Sequence, residues 1–298
     1  MSNLILLGSV FVPAFLMLGG LLLWRLVRSF DKRRSPLTVG LLNLPGEGLR
    51  KRIATHEDKF HEVATMALAT GPIVLAAWLL ARLNRKGFDW SAIQPGSGDL
   101  LFAAVLLIMA GWSLWRLIHH ASRQRRARDG LNAELSVAQC LTPLIAEGAM
   151  VFHDFPADRY NIDHIVVANS VVFAIETKSR RKPAAKGKAS ARVRYDGQQL
   201  FFPEHTEIKP IEQAAYQADW LEQLLRNAGV DGVRVVPVLA LPGWYVERTN
   251  RDVRANVLVS NCTNARFMMS ERFGSSMSES MRKHIAHVLT ERYTPPQL

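Results

Sequence analysis

Asn161-Ile162-Asp163-His164-Ile165-Val166-Val167-Ala168-Asn169-Ser170-Val171-Val172-Phe173-Ala174-Ile175-Glu176-Thr177-Lys178 is the stretch on which the fold turns. Two β-branched runs, 162–167 and 171–177, flank Asn169-Ser170, and such runs around a polar pair read as an antiparallel hairpin. With Asn169-Ser170 as the loop, Ala168 pairs with Val171, and counting outward sets Asp163 opposite Glu176. Two carboxylates facing each other across a strand pair destabilise a sheet, and a divalent cation would remove the conflict. Side chains alternate along a strand, so Lys178, two residues past Glu176, joins the same face. Two carboxylates and an ammonium thus converge, and hard oxygen ligands of this kind suit Mg²⁺ or Mn²⁺.

Moving outward, Met150–Phe155 reads as a strand before the hairpin, and Gly130–Ala146 as a helix with Leu131, Leu135, Ala138 and Leu141 on one side. Asp196-Gly197 between Arg192–Tyr195 and Gln199–Phe202 signals a second hairpin. A helix runs from Pro210 to about Asn227, strands cover Arg234–Ala240 and Val253–Ser260, and a last helix spans Ser276–Arg292. Helix, strands, helix, strand is the order of a mixed sheet flanked by helices.

The segments Asn161–Val167 and Ala174–Lys178 together resemble the nuclease-related domain (NERD), a family of the PD-(D/E)xK nuclease-like superfamily. Gly130-Leu131-Asn132-Ala133-Glu134 is similar to that family's opening G-x-x-x-E helix. Pro210-Ile211-Glu212-Gln213 is similar to its later P-x-x-Q helix start, with Gln217 one turn on. The resemblance covers about 130–241 and implies a restriction-endonuclease-like sheet. It implies that Asp163 and Glu176 hold the metal with the Thr177 carbonyl. It further implies that Lys178 activates the attacking water, that Glu134 reaches the site from the first helix, and that Gln213 binds phosphate or water at the mouth. The chain departs from the family pattern in lacking a glycine at the hairpin turn near Val171 and the Trp that follows the lysine strand. A basic insertion stands there instead: Arg180, Arg181, Lys182, Lys186, Lys188, Arg192 and Arg194 follow Lys178 with no acid between them. A nucleic-acid backbone is the expected partner of that insertion, DNA ahead of RNA, against a solvated loop or one lying on anionic lipid.

Residues 1–122 have a different character. Apolar runs at about 4–24, 63–81 and 98–118 are long enough for transmembrane helices, which need roughly 20 residues each. No basic residue precedes the first run, whereas Arg25, Arg28, Lys32, Arg33 and Arg34 follow it, which fits a retained anchor rather than a cleaved leader. Lys and Arg crowd the segment before the second run and the segment after the third, where Arg123, Arg125, Arg126 and Arg128 stand. By the positive-inside rule the N-terminus lies outside and residues 123–298 form a cytoplasmic domain, as in a multi-pass protein of a bacterial inner membrane. A soluble bundle is the competing reading of the second and third runs.

Net charge is +11, from 37 Lys and Arg against 26 Asp and Glu, which favours polyanions, either nucleic acid or an anionic lipid face. Cys140 and Cys262 form no CxxC pair, so no zinc site is expected, and they read as buried small hydrophobes. His153, His164, His205 and His284 read as structural, Asp154 and Asp158 as loop carboxylates (Asp154 also as a group behind the site), and Tyr216 and Trp220 as core. Three functions compete: a membrane-anchored, divalent-metal-dependent nuclease acting on phosphodiesters, a non-catalytic module that binds nucleic acid or a partner at the membrane, and a structural membrane protein with a degenerate domain.

Overall fold

The computed structural model describes residues 43–82, 96–184, 191–250 and 255–293, with Gly19, Gly20, Leu23, Leu26 and Val27 besides. Most of the first apolar run, 4–24, lies outside the described residues, as do Lys186 and Lys188. The chain divides into two compact units, Met1–Thr38 with Ala54–Arg125, and Val39–Ile53 with Arg126–Leu298.

Two helices dominate the first unit. Helix α1 spans Glu47–Arg82 and α2 spans Ser97–Ala146. The second apolar run is therefore the far part of a longer helix. The third run and the expected helix at Gly130–Ala146 are one continuous helix, because the Arg- and Ala-rich residues between them contain no proline to break it. Pro72 sits inside α1 without ending it. Both helices are long and apolar enough to cross a membrane by length and composition. Their apolar side chains are mostly exposed: Leu68 is 80% exposed, Leu100 and Leu107 74% each. Within this unit Trp78 donates its Nε1–H to Asp99 at 2.7 Å, and the Nδ1 atoms of His56 and His120 lie 3.3 Å apart.

The second unit is α/β, with a mixed sheet flanked by helices. Its main sheet has the order β1-β2-β3-β7-β9, from β1 (Met150–Pro156), β2 (Asn161–Val167), β3 (Val172–Thr177), β7 (Val235–Ala240) and β9 (Leu258–Ser260). Strands β1, β2 and β3 are antiparallel, while β7 and β9 continue in parallel. The register pairs Val167 with Val172 and His164 with Ile175, and the Ala168 N–H donates to the Val171 carbonyl at 3.0 Å. Continued by one step beyond the last pair, this register would bring Asp163 to Glu176, the pairing expected from counting out of the Asn169-Ser170 loop. The turn needs no glycine there.

One face of the sheet packs on α2 through Val137, Leu141 and Leu144 against Phe173, Ile175 and Val238. The other packs on α3 (Lys209–Asn227) and α4 (Glu279–Tyr293) through Leu221, Leu225, Ile285 and Leu289 against Val172 and Ala174. Phe152 and Phe155 of β1 both face this second core, although strand alternation would set residues three apart on opposite faces. Asp154, with φ 46°, lies between them, and a left-handed residue of this kind flips the pleat as a bulge does.

A second sheet, not anticipated from sequence, has the order β6-β5-β4-β8, from β4 (Arg192–Tyr195), β5 (Leu200–Phe201), β6 (Thr206–Glu207) and β8 (Tyr245–Arg248). The Asp196-Gly197 hairpin is its β4–β5 turn. Trp244, 2% exposed, joins its core and donates to the Arg180 carbonyl at 3.2 Å. Cys262 is buried and Cys140 half-buried, both as free thiols.

The expected boundary at residue 122 puts all the preceding residues in the membrane region. Residues 39–53 instead group with the α/β unit. Gly48 donates its backbone N–H to Asp154 at 2.7 Å, and the Asn43 amide donates to the Asp154 carbonyl at 2.8 Å. Gly46, with φ +71°, rests so closely on Leu131 that a Cβ there would collide with it. The signal for this docking is long-range and leaves no local periodicity to read.

Candidate active site

The site begins where the β2–β3 ladder ends. Past His164 and Ile175 the next hydrogen-bonded partner of Thr177 would be Ile162, but the Thr177 N–H goes instead to the Asp163 carboxylate, at 2.6 Å. That bond fixes Asp163 at the strand ends. In an extended strand a residue's N–H and C=O leave the same edge, so the Thr177 carbonyl also faces the β2 side.

Glu176 is 3% exposed and wrapped by donors. Its Oε1 accepts from Gln213 Nε2 at 2.8 Å and from the Lys178 ammonium, and its Oε2 accepts from Gln217 Nε2 at 2.7 Å. Pro210 stands in the first turn of α3, where its missing N–H costs nothing, so the helix starts in time to set Gln213 one turn before Gln217. Residues four apart share a helix face, and this face lies over β3.

Glu134 enters from α2, one turn before the core residues Val137 and Ala138, and is 8% exposed. Asp154, 5% exposed, comes from β1. It caps the first turn of α1 through the Gly48 N–H and accepts from Asn161 Nδ2 at 2.8 Å. It is a strand carboxylate, not a loop one. The acidic cluster is under-compensated. Burial, then the charges of Asp154 and Glu176, push the Glu134 carboxyl up to about 7. Burial, then the charges of Glu176 and Glu134, push Asp163 well above the ordinary carboxylate range.

Glu134, Asp154, Asp163, Glu176, Lys178 and Gln213 line one open cleft of about 1020 Å³, whose walls include Arg52, Arg126, Arg159, Arg180 and Arg181. Gln213 sits at the cleft as expected, but its amide holds Glu176 rather than standing free. The expected basic contacts are partly spoken for. Arg180 pairs with both oxygens of Glu207 at 2.7 Å, Arg181 pairs with Asp129, and Arg192 pairs with Glu247 at 3.2 Å. Arg194 stacks over Phe201, and Lys182 is exposed. The insertion has no acid of its own, yet the fold brings acids to it from elsewhere. Arg52 was not foreseen as a cleft residue, and Asp154 was expected only as a loop carboxylate or a group behind the site. Gln217 was noted without a role, although its spacing from Gln213 carried the signal.

Tyr216 departs from the expectation of a core residue, being 61% exposed beside Tyr160, whereas Trp220 packs against Phe155 and Tyr160. Asp158 is an exposed carboxylate that accepts from Trp220 and Arg292. His153 and His164 pair through their Nδ1 atoms at 2.8 Å, and burial pushes His164 down to about 3, so it stays neutral inside the sheet.

Among the described residues no group of three or more His, Cys, Asp or Glu side chains is arranged around a metal position. Two carboxylates and a carbonyl are nonetheless a donor set that suits Mg²⁺, which binds through one or two carboxylates and keeps several waters. Burial first, and then repulsion among the neighbouring carboxylates, raises the carboxyls of Glu134 and Asp163, and a cation would relieve the second of these.

No curated protein and no solved structure matches the chain. The family model NERD, described as Nuclease-related domain, matches residues 129–242, from the foot of α2 through β7. Every residue of the acidic site except Gly48 and its neighbours lies within that span, so the site falls in the part of the chain that is similar to nuclease-related domains.

Proposed function

We propose that this chain is a membrane-anchored, divalent-metal-dependent nuclease that hydrolyses nucleic-acid phosphodiesters on the cytoplasmic side of a bacterial inner membrane. One observation carries the reading: Asp163, Glu176 and Lys178 converge in an open cleft inside the part of the chain that is similar to nuclease-related domains. Asp163, Glu176 and the Thr177 carbonyl would hold Mg²⁺ or Mn²⁺. When bound, such an ion polarises a phosphoryl oxygen and lowers the pKa of a water molecule. Lys178 stands beside Glu176, where its ammonium can neutralise charge growing on a phosphate oxygen or orient the attacking water. Gln213 and Gln217 fix the Glu176 carboxylate from above. Glu134, with its carboxyl near 7, can hold or release a proton at neutral pH.

The membrane anchor is supported by the exposed apolar surface of α1 and α2, since a soluble bundle would bury those side chains. Lys and Arg before the second run and after the third support an N-terminus outside and the nuclease-related domain in the cytoplasm. DNA is the preferred substrate of this reading.

A second reading, binding without hydrolysis, draws on one observation: both Glu176 oxygens already accept from Lys178, Gln213 and Gln217, so a metal must compete with them. The test uses the full-length chain in detergent, because residues 39–53 are part of the α/β unit. Plasmid, linear duplex and single-stranded substrates are incubated with Mg²⁺, Mn²⁺ or a chelator. Cleavage that requires metal, disappears in Asp163→Ala and falls about 10²–10³-fold in Lys178→Ala supports hydrolysis. Salt-sensitive binding that persists in Asp163→Ala, with no cleavage by the wild type, supports the second reading.

A further inference from the structure

The cleft that holds the acidic residues also gathers arginines from three separate places: Arg52 from the second turn of α1, Arg126 from α2, and Arg159 from the β1–β2 connection. All three are exposed. By contrast Arg180 and Arg181, which also border the cleft, and Arg192, Arg226, Arg266 and Arg292 elsewhere on this unit, each hold a carboxylate. Among the described residues, Arg52, Arg126 and Arg159 line the cleft and hold no carboxylate within ion-pair distance. They cannot serve as counter-ions to the acidic residues at hydrogen-bond range. Their charge is available to an anion entering the cleft.

We propose that Arg52, Arg126 and Arg159 form a phosphate-binding wall that engages successive phosphates of a polynucleotide, so that the cleft takes a chain rather than a mononucleotide or free phosphate. The inference rests on the nuclease reading above and deepens it by naming what the cleft grips. Arg presents several N–H donors in a planar fork that matches phosphate oxygens. The three residues come from elements far apart in sequence that border a cleft of about 1020 Å³, at the upper end of small-molecule pockets at roughly 300–1,000 Å³. The same cleft is lined by Glu134, Asp154, Asp163 and Glu176, each of which repels a phosphate when ionised. An anion stays in such a cleft only where its cations outweigh that repulsion.

Arg52 gives the wall a consequence for the whole chain. It lies on the segment 39–53, which Gly48 and Asn43 tie to Asp154, so the grip depends on residues outside the span matched by the nuclease-related family.

The test measures binding of a labelled single-stranded 20-mer by the full-length chain in detergent, in an Asp163→Asn background with Mg²⁺, as a function of salt. That background cannot complete the proposed hydrolysis. The triple variant Arg52→Gln/Arg126→Gln/Arg159→Gln is compared with a control triple of equal charge change outside the cleft, Arg226→Gln/Arg266→Gln/Lys283→Gln. Each lost phosphate contact removes about 0.7 from the slope of log K against log salt for single strands. The cleft triple should therefore flatten the slope by about 2, while the control triple leaves it unchanged, and excess mononucleotide should not displace the 20-mer. Equal slopes for the two triples, or full displacement by mononucleotide, overturn the wall. A background chain that binds no 20-mer overturns it as well. Failure of the nuclease reading looks different: wild type that never cleaves, even though the cleft triple loses its salt slope.

Discussion

Replacing Glu134 by Gln should flatten the pH dependence of stability in the metal-free protein. The carboxyl is 8% exposed and sits near 7 in the folded state against 4.5 unperturbed. A raised carboxyl means that the native chain binds the proton more tightly than the unfolded one. The associated stability is therefore fully present below about 4.5 and is lost as pH climbs through about 7. The full shift of about 2.5 pH units corresponds to about 3 kcal/mol at 1.36 kcal/mol per unit. Between pH 5 and pH 8 the wild type should lose about 2.5 kcal/mol through this group. At roughly 2–4 °C per kcal/mol for a unit of this size, melting in chelator should fall by about 5–10 °C across that range. The Gln variant should lose much less. Parallel melting curves for the two proteins at pH 5 and pH 8 would refute the reasoning, because Glu134 would then ionise alike folded and unfolded.

Three other substitutions probe the frame of the site. Asp154→Gly keeps the left-handed backbone but removes the acceptor for Gly48, and Asp154→Asn keeps an acceptor at a position Asn tolerates. The Gly variant should cost about 1 kcal/mol more in chemical denaturation, and equal costs would mean that Asp154 does not hold α1. Gln217→Leu leaves the buried Glu176 one donor short and should cost about 1.5–3 kcal/mol, with unchanged stability counting against that bond. Gly46→Ala combines a positive φ with a collision on Leu131, so it should destabilise by more than about 1 kcal/mol; a neutral result would show that residues 43–49 do not rest on α2.

The sheet hairpin was legible because both of its determinants are local. A two-residue loop and β-branched alternation leave one register that buries Val172 and Ala174, and that register, continued by one step, would bring Asp163 to Glu176. The start of α3 was legible from Pro210, and with it Gln213. What escaped reading depends on contacts across long stretches of chain. Asp129, Glu207 and Glu247 reach the basic insertion from distant elements, so its charge looked freer than it is. The flip at Asp154 is a backbone conformation with no periodic trace, and the docking of Gly46 and Gly48 rests on close approach. Trp244 reaches the Arg180 carbonyl from the far side of β7, and no spacing in the sequence announces it. The second sheet is made of strands of two to four residues, too short for alternation to stand out.

Hydrolysis in this cleft requires a hard cation held between two carboxylates at the ends of β2 and β3. Titrating the metal-free, full-length protein with Mn²⁺ and following free Mn²⁺ by electron paramagnetic resonance tests this most directly. One Mn²⁺ should bind per chain in the wild type, compete with Mg²⁺, and be lost in Asp163→Asn. Equal Mn²⁺ uptake by wild type and Asp163→Asn, or none by either, would contradict it.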